Sequence, residues 1–253
     1  MIHESAARGF ARAAEEYERG RPLHSPAAVA RLVRELAIRP RTRVLDLAAG
    51  TGKLTRRLVE TGAFVVAVEP VDEMRAALAA SLPEAEALAG TAEAIPLTDS
   101  SVDAVTVGQA FHWFDGDAAL AEIHRVLRPQ GRLGLVWNAR DEGVRWVAAL
   151  TEIMEPYRGD APAYRTGSWR SAFERADLFT PLENARFRLE HELDADGVVA
   201  RVLSVSFIAA LPDDERMQVA ARVRELLAGD PATRGRDRVA IPYRTDVFWC
   251  ERL

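Results

Sequence analysis

Lysine is nearly missing from this chain: Lys53 stands alone among 33 basic residues, and the others are arginine. Cysteine is as scarce. Cys250 is the single one, so no intrachain disulfide can form and a cysteine-based zinc site is excluded. His24, His124 and His191 have no metal-ligand spacing and read as structural or exposed, so no metal is expected. No stretch reaches the ~18 uninterrupted apolar residues of a membrane span. A basic excess is also lacking: the net charge is −5, against the basic stripe that marks a nucleic-acid footprint. The arginines of 222–238 read as an exposed helix face and loop. Internal repeats, low-complexity tracts and a clear linker are absent. The first residues, MIHESAARGFARAAEEYERG, carry early acids and no apolar core of signal-peptide length, so a reducing, cytoplasmic location is expected.

What remains is ordinary material for a globular core. Apolar residues make up 48% and charged residues 28% of 253 positions, which suits one α/β domain with elaborations or two small ones. The chain is organised around Arg43 to Thr55, RVLDLAAGTGKLT. Val44, Leu45 and Leu47 begin it like a buried strand, and Leu54, Leu58 and Val59 continue it with helical spacing. Between them lie five small residues, Ala48 to Gly52. A strand, a turn without bulky side chains and a helix N-terminus let backbone approach a ligand closely. That is the form of a nucleotide-type site at the carboxyl end of a parallel strand. Lys53 reads as a solvated residue in the first turn of that helix.

The rest of the chain alternates. Ser5 to Arg19 reads as an amphipathic helix with Phe10, Ala14 and Tyr17 on one face, closed by Gly20 and Pro22. Ser25-Pro26 opens a second helix with Val29, Leu32, Val33 and Leu36 buried. Ala63 to Val68 is continuously apolar, as in a parallel strand covered on both faces, and stops at Glu69. That acid follows Gly52 by 17 residues, close to the ~20 expected for the carboxylate that grips a ribose diol. Asp72 is placed to cap a helix that turns Met74, Leu78 and Leu82 inward. Further strands are expected at Glu86 to Ala89, Val102 to Val107 and Arg132 to Trp137, with a helix at Asp117 to Leu127. The fourth strand runs into a dense cluster, Gln109 to Phe114. Beyond Asp141, helices are expected at Val144 to Tyr157, Trp169 to Ala176, Gly197 to Ala210 and Asp213 to Leu227, the last capped by Asp213. Arg186 to Leu193 reads as a sixth strand and Val239 to Cys250 as a seventh, in which Pro242 suggests an edge or a bulge. This alternation predicts a doubly wound, mostly parallel sheet with helices on both faces and a helical cap.

Several of these segments resemble, in register, the class I S-adenosylmethionine-dependent methyltransferases of the type 11 family. They are V-L-D-L-A-A-G-T-G at 44–52, V-E-P at 68–70, G-T-A-E-A-I-P-L at 90–97, S-V-D-A-V at 101–105, Q-A-F-H-W-F at 109–114 and H-R-V-L-R-P-Q-G-R-L at 124–133. A-A-E-E-Y-E-R-G-R-P at 13–22 and P-Y-R-T-D-V-F-W at 242–249 resemble the same group. The resemblance implies a Rossmann-like seven-stranded sheet in one domain: a helical lid over 1–40, a cofactor-binding core over 41–140, and a helical substrate cap over 141–253 that also carries the last two strands. It implies S-adenosyl-L-methionine as cofactor. Asp46 and the Ala48, Gly50 and Gly52 turn would face the methionine amine, and Glu69 would accept from both ribose hydroxyls. Pro70 and Met74 would pack on adenine, with Ala92 reading its edge. Gln109 would hold the amino-acid end, with Tyr17 and Arg21 closing over it. The family usually has glycine where Ala48 stands and an aspartate where Thr91 stands; Thr91 or Glu93 would then meet the adenine amino group.

Phe111 and Trp113 would face the sulfonium. His112 would serve as general base for a hydroxyl or an activated carbon. No Asn/Asp-Pro-Pro-Tyr run follows the fourth strand, so amino-group methylation of nucleobases or of protein glutamine finds no support. The expected acceptor is an oxygen or carbon of a small molecule, without nucleic-acid or membrane partners. Oligomeric state is unreadable. Two other readings stay open: a dehydrogenase of the nicotinamide type, against which only two of three fingerprint glycines are present, and a catalytically inactive cofactor-binding sensor or partner subunit.

Overall fold

A computed structural model describes residues 20–253 of the chain; the predicted helix of Ser5 to Arg19, and with it Tyr17, lies outside those residues. The apolar runs become strands because each must be covered on two faces at once. In β1 (Arg43–Leu47), Val44 packs to one side while Leu45 and Leu47 pack to the other. The first side is covered by α1 (Pro26–Glu35) and α2 (Lys53–Val59), through Leu32, Leu36, Leu54 and Leu58. β2 (Phe64–Val68), α3 (Asp72–Ser81), β3 (Glu86–Leu88) and β4 (Val102–Gly108) follow. After a single 3-10 turn at Phe111–Trp113, α4 (Gly116–Val126) covers the second side through Leu120 and Ile123. Asp115 caps that helix, its carboxylate accepting from the Ala118 amide at 3.3 Å.

β5 (Leu127–Arg140), α5 (Arg145–Met154), α6 (Arg170–Arg175), β6 (Glu183–Leu193), α7 (Ala195–Leu203), α8 (Ser206–Ala209), α9 (Asp213–Gly229) and β7 (Val239–Glu251) complete the chain. The seven strands lie in the order β3-β2-β1-β4-β5-β7-β6. β1 to β5 are parallel, and β7 runs antiparallel to both β5 and β6. The order reverses between β1 and β4, which opens a crevice at their carboxyl ends. Gly134 of β5 sits where a Cβ would come within 2.4 Å of Leu32, so α1 packs directly on the strand. A third, separate core joins α5, α7 and α9 to the outer strands through Leu150, Val202, Val223 and Ile241. Among the described residues, no helix is long and apolar enough to cross a membrane.

Several local expectations change. β5 is longer than Arg132 to Trp137 and passes through Gln130, whose φ is 65°. The predicted helix at Gly197 to Ala210 breaks into α7 and α8: the Ser204 hydroxyl donates back to the Arg201 carbonyl at 2.9 Å, and Val205 turns extended. The helix predicted to reach Tyr157 ends at Met154, because Pro156 has no amide for the α-helical ladder, and a 3-10 turn finishes it. Asp72 and Asp213 do not cap. The caps are Val71 and Pro212, and both aspartates sit inside the first turn, where their charge meets the helix dipole. Pro242 does not mark an edge, since β7 is interior. Its carbonyl accepts from the Asp141 amide at 2.9 Å, so its donorless side faces β5 one residue beyond the last pair, Arg140 with Tyr243.

Candidate active site

The turn after β1 is shaped by backbone. Ala48, Gly50 and Gly52 have φ of 55°, 60° and 85°, the left-handed region that favours glycine. Gly52 gives its space to α3 rather than to the crevice, since a Cβ there would meet Leu82 at 2.7 Å. The Gly50 amide donates to Glu69 Oε2 at 2.8 Å and the Val71 amide to Glu69 Oε1 at 2.9 Å. Glu69 is buried at the end of β2, and burial raises its pKa against the pull of those two amides. Each carboxylate oxygen has a second lone pair, which leaves the acid able to accept from a diol.

Asp46 lies at the end of β1, 1% exposed, with Oδ2 taken by the Thr55 hydroxyl at 2.6 Å and Oδ1 by the Thr106 hydroxyl at 2.9 Å. Burial raises its pKa to about 6 against those two bonds. It does not reach the main cavity and borders a side compartment of about 50 Å³ with Ala48, Lys53, Gln109 and His24. Lys53 is not a free surface residue. Its ammonium donates to the Arg21 carbonyl at 2.9 Å. The segment at 20–24 thus crosses the turn, held also by Asn138 Nδ2 on the Leu23 carbonyl at 3.2 Å and by Arg21 on the Ser204 carbonyl at 3.1 Å. His24, expected to be structural or exposed, is buried with both ring nitrogens unpartnered among the described residues, and burial beside Lys53 lowers its pKa to about 4.

A cavity of about 1010 Å³ opens along the carboxyl ends of the strands among the described residues. It brings together Arg21, Ala48, Gly50, Glu69, Pro70, Met74, Thr91, Ala92, Glu93, Gln109 and His112 from the expected set. Asp46 and Gly52 are not in its wall. The loop with Thr91 to Glu93 is stapled from behind by Arg125 of α4, which donates to the carbonyls of Leu97 at 2.8 Å and Ile95 at 3.0 Å. Glu122 accepts from the Ile95 amide at 2.8 Å. This brace was missed in the sequence, where both residues look like ordinary surface charges of a helix.

The aromatic cluster divides. Phe111 is 1% exposed and packs in the core against Phe114, Trp169 and Phe173, so it does not face a sulfonium. Trp113 and Phe114 line the cavity. His112 also lines it, yet the base role meets two obstacles. The Trp137 indole donates to His112 Nδ1 at 3.3 Å, so the neutral ring carries its proton on Nε2 and has no free basic nitrogen. Burial, with Arg21 and Arg158 nearby, also lowers its pKa to about 3. The far wall comes from Asn138, Arg140, Tyr164, Trp169, Arg201, Phe207 and Tyr243, none of which the sequence reading singled out. They come from β5, the loop before α6, α7, α8 and β7, and no short motif joins them.

Residues 45–135 match the family model described as a methyltransferase domain. An uncharacterized methyltransferase of Mycobacterium tuberculosis is 45% identical over 236 residues, spanning 93% of this chain and 92% of that protein. An uncharacterized methyltransferase-like protein of Schizosaccharomyces pombe is 35% identical over 238 residues, spanning 94% and 93% of the two. The YcgJ protein of Bacillus subtilis has the same fold, with a TM-score of 0.60 at 19% identity over 90% of this chain and 98% of that one. With identity sustained along nearly the whole chain, and a sheet whose order reverses where the glycine turn and Glu69 meet, this chain belongs to the class I S-adenosylmethionine-dependent methyltransferases.

Proposed function

We propose that the protein methylates an oxygen or carbon of a small-molecule acceptor. One observation carries this reading: the cavity is continuous from Glu69 and Met74 at one end to Arg140 and Tyr243 at the other, and its volume of about 1010 Å³ suits a nucleoside cofactor with a small acceptor beside it. Bound S-adenosylmethionine supplies an electrophilic methyl group on a sulfonium. The residues toward it are those of the cofactor half. Glu69 accepts from the ribose hydroxyls with its remaining lone pairs. Pro70 and Met74 pack on adenine, and the braced loop at Thr91 to Glu93 reads its edge. Gln109 and the 20–24 segment, with Arg21, close the amino-acid end. Asp46 acts from behind by holding Thr55 and Thr106, so that the turn keeps its form.

The chain's share in the reaction is alignment and exclusion of water. Trp113 and Phe114 form an apolar wall, and His112, fixed by Trp137, presents an N–H rather than a base. Residues 1–40 then act as lid and 141–253 as acceptor cap within one domain. A cytoplasmic setting belongs to this reading, as does the lack of a nucleic-acid partner, which the net charge of −5 supports. The test is turnover of methyl-labelled S-adenosylmethionine with an acceptor panel, comparing wild type with His112→Gln. Loss of less than tenfold in kcat agrees with alignment, whereas a general base should cost about 10²- to 10⁴-fold. No turnover with any acceptor, despite cofactor binding, would favour the inactive sensor.

A further inference from the structure

The cavity wall holds nine arginines against four carboxylates, in a chain whose net charge is −5. Two of the four, Glu69 and Glu93, belong to the cofactor half. Some of the arginines are engaged elsewhere. Arg244 pairs with Asp246 at 2.9 Å, Arg165 and Arg158 share Glu155, Arg158 through its Nε at 3.1 Å, and Arg170 lies over the Trp169 ring at 4.7 Å. Deeper in, Arg140 and Arg201 each keep a buried donor without a hydrogen-bond partner among the described residues. Arg201 is 9% exposed; its Nε donates to the Tyr243 hydroxyl at 3.0 Å while Nη1 is buried without a hydrogen-bond partner among the described residues. Arg140 gives Nη2 to the Thr151 hydroxyl at 3.3 Å, and its buried Nε has no such partner. Glu142, the carboxylate on this wall that favours the Arg140 charge, accepts from the same Thr151 hydroxyl at 2.8 Å. Arg158 lies close enough to add to the field, and Arg140, pressed by burial and by Arg201 and Arg158, has its pKa lowered to about 10.

Buried charges are normally paired. Guanidinium groups drawn together in excess of carboxylate, with buried donors left over, form a site for an anion, and their fork geometry fits carboxylate. The site also lies beside His112, whose pKa is depressed first by burial and then by Arg21 and Arg158. An acceptor with a hydroxyl would need a base there, and the geometry of His112 offers none. A carboxylic acid is ionised at neutral pH, since its ordinary pKa is about 4. Resting on the methyl-transfer reading, we propose that the acceptor is a carboxylic acid, that Arg140 and Arg158 hold its carboxylate, and that a carboxylate oxygen is the atom methylated. The oxygen bonds to the methyl carbon as the carbon–sulfur bond breaks and its electron pair returns to sulfur. The products are a methyl ester and S-adenosylhomocysteine, the anion and the sulfonium are both neutralised, and no proton moves. The carboxylate has about four lone-pair sites, which leaves room for recognition as well as attack. Arg201 borders both compartments and can serve the cofactor's own carboxylate, so the test rests on the other two arginines.

The experiment uses the full chain saturated with S-adenosylhomocysteine. Its melting temperature is followed against citrate, benzoate and decanoate, with benzyl alcohol, decanol and inorganic phosphate as controls. At least one carboxylate should raise it where the matching alcohol and phosphate do not. Arg140→Met, with Arg158→Met as second variant should the first not fold, should weaken that carboxylate at least tenfold while S-adenosylhomocysteine affinity changes less than threefold. A carboxylate no better than its alcohol or than phosphate, or undiminished by either variant, would overturn the inference. With methyl-labelled S-adenosylmethionine and the carboxylate that binds, label released as methanol by mild alkali supports the ester. Alkali-stable label would overturn the inference and leave methyl transfer standing. Failure of S-adenosylhomocysteine itself to bind would remove the methyl-transfer reading first, and this one with it.

Discussion

The two ends of the cavity are built by different means. At the end proposed for the cofactor, the acid that faces the cavity is held by main chain: the amides of Gly50 and Val71 fix Glu69, and three positive φ values shape the turn beside it. At the end proposed for the acceptor, the charges are guanidinium groups from β5, α5's C-terminal turn and α7, two of which keep a buried donor without a hydrogen-bond partner among the described residues. The first is held by main-chain bonds already in place. The second carries more guanidinium than carboxylate on its wall. A site that must fit one fixed cofactor can afford rigid backbone, whereas a site for an acceptor is defined by what its side chains leave unsatisfied.

Glu69→Ala should break the cofactor end most severely. It removes a charged acceptor from two amides and from the ribose, and affinity for S-adenosylhomocysteine should fall tenfold or more, about 1.5–3 kcal/mol by calorimetry. Unchanged affinity would remove Glu69 from the site. Gly20→Ala comes next and strikes the joint between the two ends. A Cβ there would lie 2.8 Å from the backbone of Arg201, so the 20–24 segment must shift, at about 1–3 kcal/mol by comparison with overpacked cores. Melting temperature should fall and cofactor affinity with it. A variant as stable as wild type would show that the segment does not rest on α7.

The acid limb of stability separates the two ends more finely. His24 and His112 have pKa values lowered to about 4 and about 3, so between pH 6.5 and 4 the unfolded chain takes up protons that the native one refuses. Their contribution is present at pH 7 and lost as pH falls through that window. Asp46, raised to about 6, has the opposite sign: its contribution is present below about pH 4 and lost as pH rises to 6. His112→Gln should therefore flatten the fall in melting temperature between pH 7 and 5, and Asp46→Asn should steepen it. Equal slopes in all three proteins would show that these groups titrate normally. The smallest effect is expected at Ala48, which holds φ of 55° with a Cβ. Ala48→Gly should raise stability by about 0.5–1 kcal/mol, and a loss would mean that the methyl group packs usefully.

What was legible in the sequence follows the same division. Strands buried on both faces are read from continuous apolar runs, and β1, β2 and β4 stand close to where AFVVAV and its kin placed them. The turn was legible because a backbone that must adopt left-handed torsions leaves small residues behind. Gly52 stands outside the cavity wall, where close packing on Leu82 also demands glycine. Phe111 was misread because an aromatic cluster looks alike whether it faces a core or a ligand, and nothing in the sequence signals that the Trp137 indole donates to His112 Nδ1. Arg140, Arg201 and Tyr243 were out of reach: they meet only because β7 inserts between β5 and β6 and α7 folds back over the sheet. The two cap assignments failed because an aspartate one residue inside a helix has the same sequence signature as one at its threshold.

The most direct measurement is calorimetric titration of S-adenosylhomocysteine into wild type, Glu69→Ala and Arg140→Met. The expected result is one site per chain in wild type, affinity lowered tenfold or more in Glu69→Ala, and affinity kept within threefold in Arg140→Met. Absence of binding in wild type, or equal loss in both variants, would contradict a cofactor end built independently of the acceptor end.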